Sequence, residues 1–160
     1  MAKEDRRPTL RPANNKDRRA IKKLVYEVLE EYGLMPDPDA TDADINDIDS
    51  AYFKRGGVFY VLEESDGAAI GCYGLYPLGH QACELRKMYL VRAHRGKGLG
   101  RFMLEEALAR ARRMEFTTVV LETASVLKEA IDLYESYGFR QYEPEHISSR
   151  CDRAYRLELK

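Results

Sequence analysis

The sequence has no tryptophan, and its only cysteines are Cys72, Cys83 and Cys151. An odd number without metal-type spacing argues against a disulfide framework and points to reduced thiols in a cytoplasmic compartment. No stretch approaches the ~18 consecutive apolar residues of a membrane span, and Met1 to Pro8 lacks the apolar core of a signal peptide. Neither sign of charge prevails: 26 Lys and Arg stand against 27 Asp and Glu, a net charge of −1. That balance offers no general attraction to nucleic acid or an anionic membrane, so any affinity for phosphate must come from a local cluster. Repeats, low-complexity tracts and Gly/Ser linkers are missing too, which leads us to expect a frayed tail over residues 1–8 and a single domain over 9–160.

Hydrophobic periodicity supplies the elements. Thr9 to Pro12 reads as a short strand. Ile21, Leu24, Val25, Val28, Leu29 and Tyr32 then keep the spacing of one helical face, ending near Gly33. An aspartate-rich segment, Asp37 to Asp49, leads into a short second helix around Ile45 to Phe53. Val58 to Leu62 and Ala69 to Leu75 read as two antiparallel strands joined at Asp66-Gly67. Pro77 and Gly79 are expected to turn the chain into another strand, Ala82 to Val91.

That last strand is irregular. Cys83 and Leu85 set one alternation, whereas Met88 and Leu90 fall on the opposite parity. A one-residue slip turns an apolar set into water unless a β-bulge absorbs it, so we expect a bulge at Arg86-Lys87. Met103, Leu104, Ala107, Leu108 and Ala111 mark a third helix, Thr117 to Leu121 a buried strand, and Leu127, Ala130, Ile131 and Tyr134 a fourth helix closed by Gly138. Phe139 to Tyr142 and Tyr155, Leu157, Leu159 supply the last two strands. The fold class is therefore α+β with a mixed sheet.

Between the irregular strand and the third helix lies Leu90-Val91-Arg92-Ala93-His94-Arg95-Gly96-Lys97-Gly98-Leu99-Gly100-Arg101. Alternate glycines let backbone N–H groups approach a ligand, and a helix start presents unpaired donors with partial positive charge, so the junction suits a pyrophosphate. Arg92, Arg95, Lys97 and Arg101 would add countercharge. The spacing is neither the dinucleotide-binding G-x-G-x-x-G nor a P-loop, and taken alone the segment is equally well a solvated flexible turn.

Glu84-Leu85-Arg86-Lys87-Met88-Tyr89-Leu90, then Arg95-x-x-Gly98-x-Gly100, then Leu133-Tyr134-Glu135-x-x-Gly138-Phe139, in that order, resemble the GNAT superfamily of N-acetyltransferases. The likeness covers Val58 to the C-terminus. It implies a mostly antiparallel central sheet of six to seven strands flanked by about four helices, with a wedge beside the bulged strand for the pantetheine arm of acetyl-CoA. By similarity, the backbone of Met88, Tyr89 and Leu90 would pair with pantetheine and polarise the thioester carbonyl, while Arg95, Gly96, Lys97, Gly98, Leu99, Gly100 and Arg101 would cradle the pyrophosphate. The reaction implied is direct attack of a neutral amine, which with a lysine-like pKa of ~10.4 must first lose a proton. Glu84 and Glu122 are the candidate bases, directly or through water. Tyr134 would protonate the departing thiolate, although it is also placed to be a core residue. Two departures are visible: Leu127 stands where many members carry Asn, and Arg92 where a proline is common.

The remaining features carry less. Asp37, Asp39 and Thr41 alternate like calcium ligands, but Asp42 and Ile48 occupy the positions that require Gly and Glu. His80, His94 and His146 lack metal spacing, so no metal is expected; His80 or His146 could still border an acceptor cleft. Cys83 reads as a buried hydrophobe. The aspartates of residues 37–49 give the one hint of the acceptor, a cationic amine on a small molecule or peptide, against the simpler reading of a solubilising loop. Competing functions are a non-catalytic acetyl-CoA-binding or regulatory module and transfer of a longer acyl group or to oxygen. No nucleic-acid or membrane partner is expected, and the chain would act as a monomer or homodimer.

Overall fold

A computed structural model describes residues 7–160, so most of the expected tail, residues 1–6, lies outside the described residues. Seven strands form one sheet in the order β1-β2-β3-β4-β5-β7-β6: β1 Thr9–Pro12, β2 Val58–Glu63, β3 Ala69–Gly79, β4 Ala82–Leu90, β5 Thr118–Thr123, β6 Arg140–Tyr142 and β7 Arg153–Glu158. All neighbours are antiparallel except β4 and β5, which run parallel. The connection between these two is α3, Leu99–Arg113, as a parallel crossover requires. The other helices are α1 Arg18–Glu31, α2 Ile48–Ala51 and α4 Lys128–Ser136.

Both sheet faces are covered. Ile21, Leu24, Val25 and Leu29 of α1 pack with Ile48, Tyr52, Phe59, Val61 and Cys72 on one face. On the other, Leu104, Ala107, Leu108 and Ala111 of α3 and Ile131 and Tyr134 of α4 pack on Cys83, Leu85, Val119 and Leu121. The expected second helix is a single α-turn between 3-10 turns at Ala43–Asn46 and Phe53–Arg55. The expected turn at Pro77 and Gly79 is corrected. β3 continues to Gly79, and the chain reverses at His80 and Gln81, both with positive φ (52° and 61°). β2 begins at Val58 opposite Leu75, so beyond that point β3 is bordered by no strand on that side, where a proline is tolerated.

The bulge falls where the parity slip places it. Cys72 pairs with Tyr89 and Gly74 with Arg86, so Tyr73 alone faces Lys87 and Met88. Lys87 adopts φ 53°. The extra residue keeps Cys83, Leu85, Met88 and Leu90 on the α3 face while Lys87 and Tyr89 turn toward α1. β5 pairs with β4 only from Ala82 to Glu84. Beyond Glu84 the two strands part, and the backbone edge of β4 from Leu85 to Leu90 is left facing a gap.

Candidate active site

The gap opens into a cleft of about 520 Å³, within the roughly 300–1,000 Å³ typical of small-molecule sites. Its lining brings together most of the residues singled out in the sequence: Glu84, Met88, Tyr89, Leu90, Arg95, Gly96, Gly98, Gly100, Arg101, Glu122 and Tyr134. Lys97 and Leu99 are not part of it. Lys97 is exposed, and Leu99 packs against Leu62, Ile70 and Met103.

At one end the loop after β4 delivers the chain into α3. Gly96 and Gly98 have φ of 77° and 83°, and a Cβ at either would meet no atom within 4 Å. The glycines thus satisfy backbone geometry while leaving space in front of the chain. Gly98 caps the helix without a side-chain hydrogen bond, so the first amides of α3 retain unused donors and the positive end of the dipole. Arg95 does not add free countercharge here. Its Nε donates to the Leu90 carbonyl (3.0 Å), and its terminal nitrogens reach Glu31 (3.0 Å) and the Tyr32 hydroxyl (3.0 Å). The guanidinium braces the loop against α1, leaving Arg92, Lys97 and Arg101 as exposed cations.

Tyr134 lines the cleft, 6% exposed and in edge contact with Phe139 at 5.7 Å between ring centroids. Burial alone pushes its hydroxyl well above the ordinary tyrosine value, so it stays protonated at neutral and mildly alkaline pH. The ring is both a core residue and a wall of the cleft, as the sequence allowed. Leu127, at the start of α4, adds an apolar surface to the lining.

The far end is built from side chains. Glu84 is paired with Arg86, whose guanidinium stacks 3.7 Å from the Tyr76 ring centroid. Glu122 accepts the Ser148 amide at Oε1 (2.7 Å), so it steadies the loop between β6 and β7. Both carboxylates act on Tyr142, whose hydroxyl is raised first by burial and then by Glu84 and Glu122.

Beside them is a buried charge cluster that sequence reasoning missed, with Thr41, Lys87 and Arg150 also lining the cleft. Lys87, 5% exposed, lies 3.3 Å from Asp42 and 3.2 Å from Asp44 and donates to the Thr41 carbonyl (3.0 Å). Arg150 holds both oxygens of the fully buried Asp42 (2.7 and 2.8 Å). Two aspartates of the acidic segment are therefore neutralised internally. Asp37 and Asp47 cap local turns through Thr41 and Ser50, and Asp39 is exposed. Cys151, also missed, borders the cleft. Cys83 is buried, its thiol pushed up to about 12 by desolvation. His80, His94 and His146 are absent from the lining, and no metal-type cluster occurs among the described residues.

A sheet split between parallel strands, with a glycine-lined helix start at one end of the gap and two carboxylates at the other, is the arrangement of a coenzyme A-dependent acyltransferase. Comparison with known proteins gives the same answer. The model of the "Acetyltransferase (GNAT) family" matches residues 22–139. The uncharacterized N-acetyltransferase YjgM of Escherichia coli is 41% identical over 145 residues, covering 88% of this chain and 83% of its own. Among solved structures, a GNAT-family acetyltransferase of Staphylococcus aureus superposes with a TM-score of 0.89 at 20% identity, over 96% of this chain and 99% of that one. The acetyltransferase yncA of Salmonella typhimurium, solved with its cofactor acetyl-CoA, superposes with a TM-score of 0.72 at 24% identity, over 96% and 94% of the two chains. The chain belongs to the GNAT family and is an acetyl-CoA-dependent N-acetyltransferase. No helix among the described residues is long and apolar enough to cross a membrane.

Proposed function

We infer that the enzyme moves acetyl from acetyl-CoA to a primary amine of a small molecule or peptide. The observation that carries this reading is that the uncapped start of α3 and the unpaired edge of β4 open into one cleft that Tyr134 also lines. The amides from Gly98 to Arg101 would hold the diphosphate, and the β4 edge from Met88 to Leu90 would pair with the pantetheine arm and polarise the thioester carbonyl. Tyr134, kept protonated by burial, gives its proton to the departing thiolate.

The two carboxylates divide the remaining work. Glu84 is engaged in an ion pair with Arg86. Glu122 has only a backbone amide on one oxygen, so Glu122 is assigned as the base, taking the amine proton directly or through water. Glu84 holds the incoming amine electrostatically.

A thiol-release assay tests this across amino acids, polyamines, peptides and aminoglycosides, with rates followed against pH. Glu122→Gln should lower kcat about 100-fold at saturating acceptor; Glu84→Gln should act mainly on the acceptor KM. A large kcat loss in Glu84→Gln with kcat retained in Glu122→Gln would reverse the assignment. Absence of thiol release with every acceptor would remove the amine-transfer reading itself.

A further inference from the structure

The bulge that opens the β4 edge stands on a residue poorly suited to it. Lys87 sits in the left-handed region at φ 53°, where a side chain crowds the following carbonyl and glycine is the usual occupant. Two contacts hold it there. The Cys72 thiol, one strand over, donates to the Lys87 carbonyl at 3.1 Å, satisfying a group that the broken ladder leaves over. The Lys87 ammonium is buried between Asp42 and Asp44 and donates to the Thr41 carbonyl.

The anchor is itself fixed from both sides. The Tyr52 hydroxyl donates to Asp44. Arg150 grips Asp42 and also donates to the Met35 carbonyl (3.2 Å), so the loops on either side of the cleft meet at the same cluster. Two cations and two carboxylates balance among Lys87, Arg150, Asp42 and Asp44. Such a cluster is weak evidence for stability as such, because desolvation offsets much of the attraction, but it specifies one arrangement.

From these contacts we propose that Lys87 is a positioning residue: its buried ammonium, anchored on Asp42 and Asp44, holds β4 in the bulged form that presents the Met88 to Leu90 backbone to the cofactor. Lys87 borders the cleft, and its effect on the cofactor runs through the main chain. The proposal rests on the acetyl-CoA reading for its purpose, and on the free protein's geometry for its existence.

The test uses charge-balanced variants, because Lys87→Met alone strands Asp44 as a buried unpaired charge. Lys87→Met with Asp44→Asn removes one cation and one anion and leaves the Asp42–Arg150 pair intact. Calorimetry with two probes then separates the halves of the cofactor site. Acetyl-CoA affinity should fall about tenfold in this variant, the worth of one or two backbone hydrogen bonds, whereas affinity for 3′-phospho-ADP, the cofactor's nucleotide half, stays within twofold. Lys87→Gly with Asp44→Asn should recover most of the lost acetyl-CoA affinity, because glycine accepts the left-handed backbone without an anchor. A merely structural role predicts equal losses for both probes and no rescue by glycine, and that result overturns the proposal.

Hydrogen exchange on the ligand-free proteins reads the clamp without any cofactor. The Met88 to Leu90 amides should exchange at least tenfold faster in the Met variant. Unchanged exchange contradicts the clamp, while faster exchange in a protein that binds no acetyl-CoA would uphold the clamp and remove the cofactor reading.

Discussion

The two ends of the cleft are made of different materials. At the α3 end the groups offered to a ligand are main-chain amides, released by Gly96 and Gly98 and backed by few side chains. At the other end stand the side chains of Glu84 and Glu122, beside a buried cluster gathered from segments as far apart as Asp42 and Arg150 and paired within itself. A site made of backbone tolerates exchange of its side chains but not of its glycines. A site made of paired charges tolerates neither the loss of one partner nor strong acid.

The largest effect that would sharpen this contrast is Asp42→Asn. It leaves Lys87 and Arg150 buried with one carboxylate between them and should cost about 3–5 kcal/mol of folding stability, measured by urea denaturation. A loss within 0.5 kcal/mol, the scale of an ordinary surface change, would mean that the cluster is solvated in solution. Gly98→Val comes next. A β-branched residue at φ 83° is strained by about 1–3 kcal/mol, and relief of that strain moves the amides, so acetyl-CoA affinity should drop about 100-fold. Calorimetry on this variant should find the loss confined to binding of the nucleotide half.

Acid should separate the two ends as well. Burial opposes ionisation of Asp42, but the Arg150 hydrogen bonds, the Asp37 amide and Lys87 outweigh it and hold the carboxyl below its ordinary 3.8. A folded value below the unfolded one contributes stability that is present above about pH 4 and is lost as pH falls through the folded value. Thermal midpoints measured from pH 6 down to 2 should fall most steeply below about pH 4, and Asp42→Asn should flatten that slope. Tyr134 acts in the opposite direction: with its hydroxyl raised by burial, kcat should show no alkaline decline up to about pH 10. Tyr134→Phe should reduce kcat about tenfold or more, with acetyl-CoA affinity little changed. The smallest effect belongs to Lys97→Ala. An exposed cation outside the cleft lining should change acetyl-CoA affinity about twofold at low salt and not at all at 0.5 M.

The same contrast explains what the sequence disclosed. Backbone features leave local marks: alternate glycines before an amphipathic helix announced the loop, and the parity change between Leu85 and Met88 announced the bulge. The helix faces were equally plain, since α1 and α3 bury the positions that periodicity selects. Pairings between side chains distant in the chain leave no such mark. Nothing near Lys87 points to Asp42, nothing near Arg150 points to the loop after α1, and Arg95 looked like countercharge because its partner Glu31 lies 64 residues away. The reversal at His80 and Gln81 was hidden because Pro77 and Gly79 are the stronger local turn signals, and the start of β2 opposite Leu75 that lets a proline stay in β3 is visible only in the sheet.

Whether the α3 amides hold the diphosphate can be read by amide hydrogen exchange with and without coenzyme A. The Leu99, Gly100 and Arg101 amides should become at least tenfold better protected on saturation, in wild type and in Lys97→Ala alike. Unaltered exchange at those three amides, in a protein that binds coenzyme A, would mean that the diphosphate is held elsewhere.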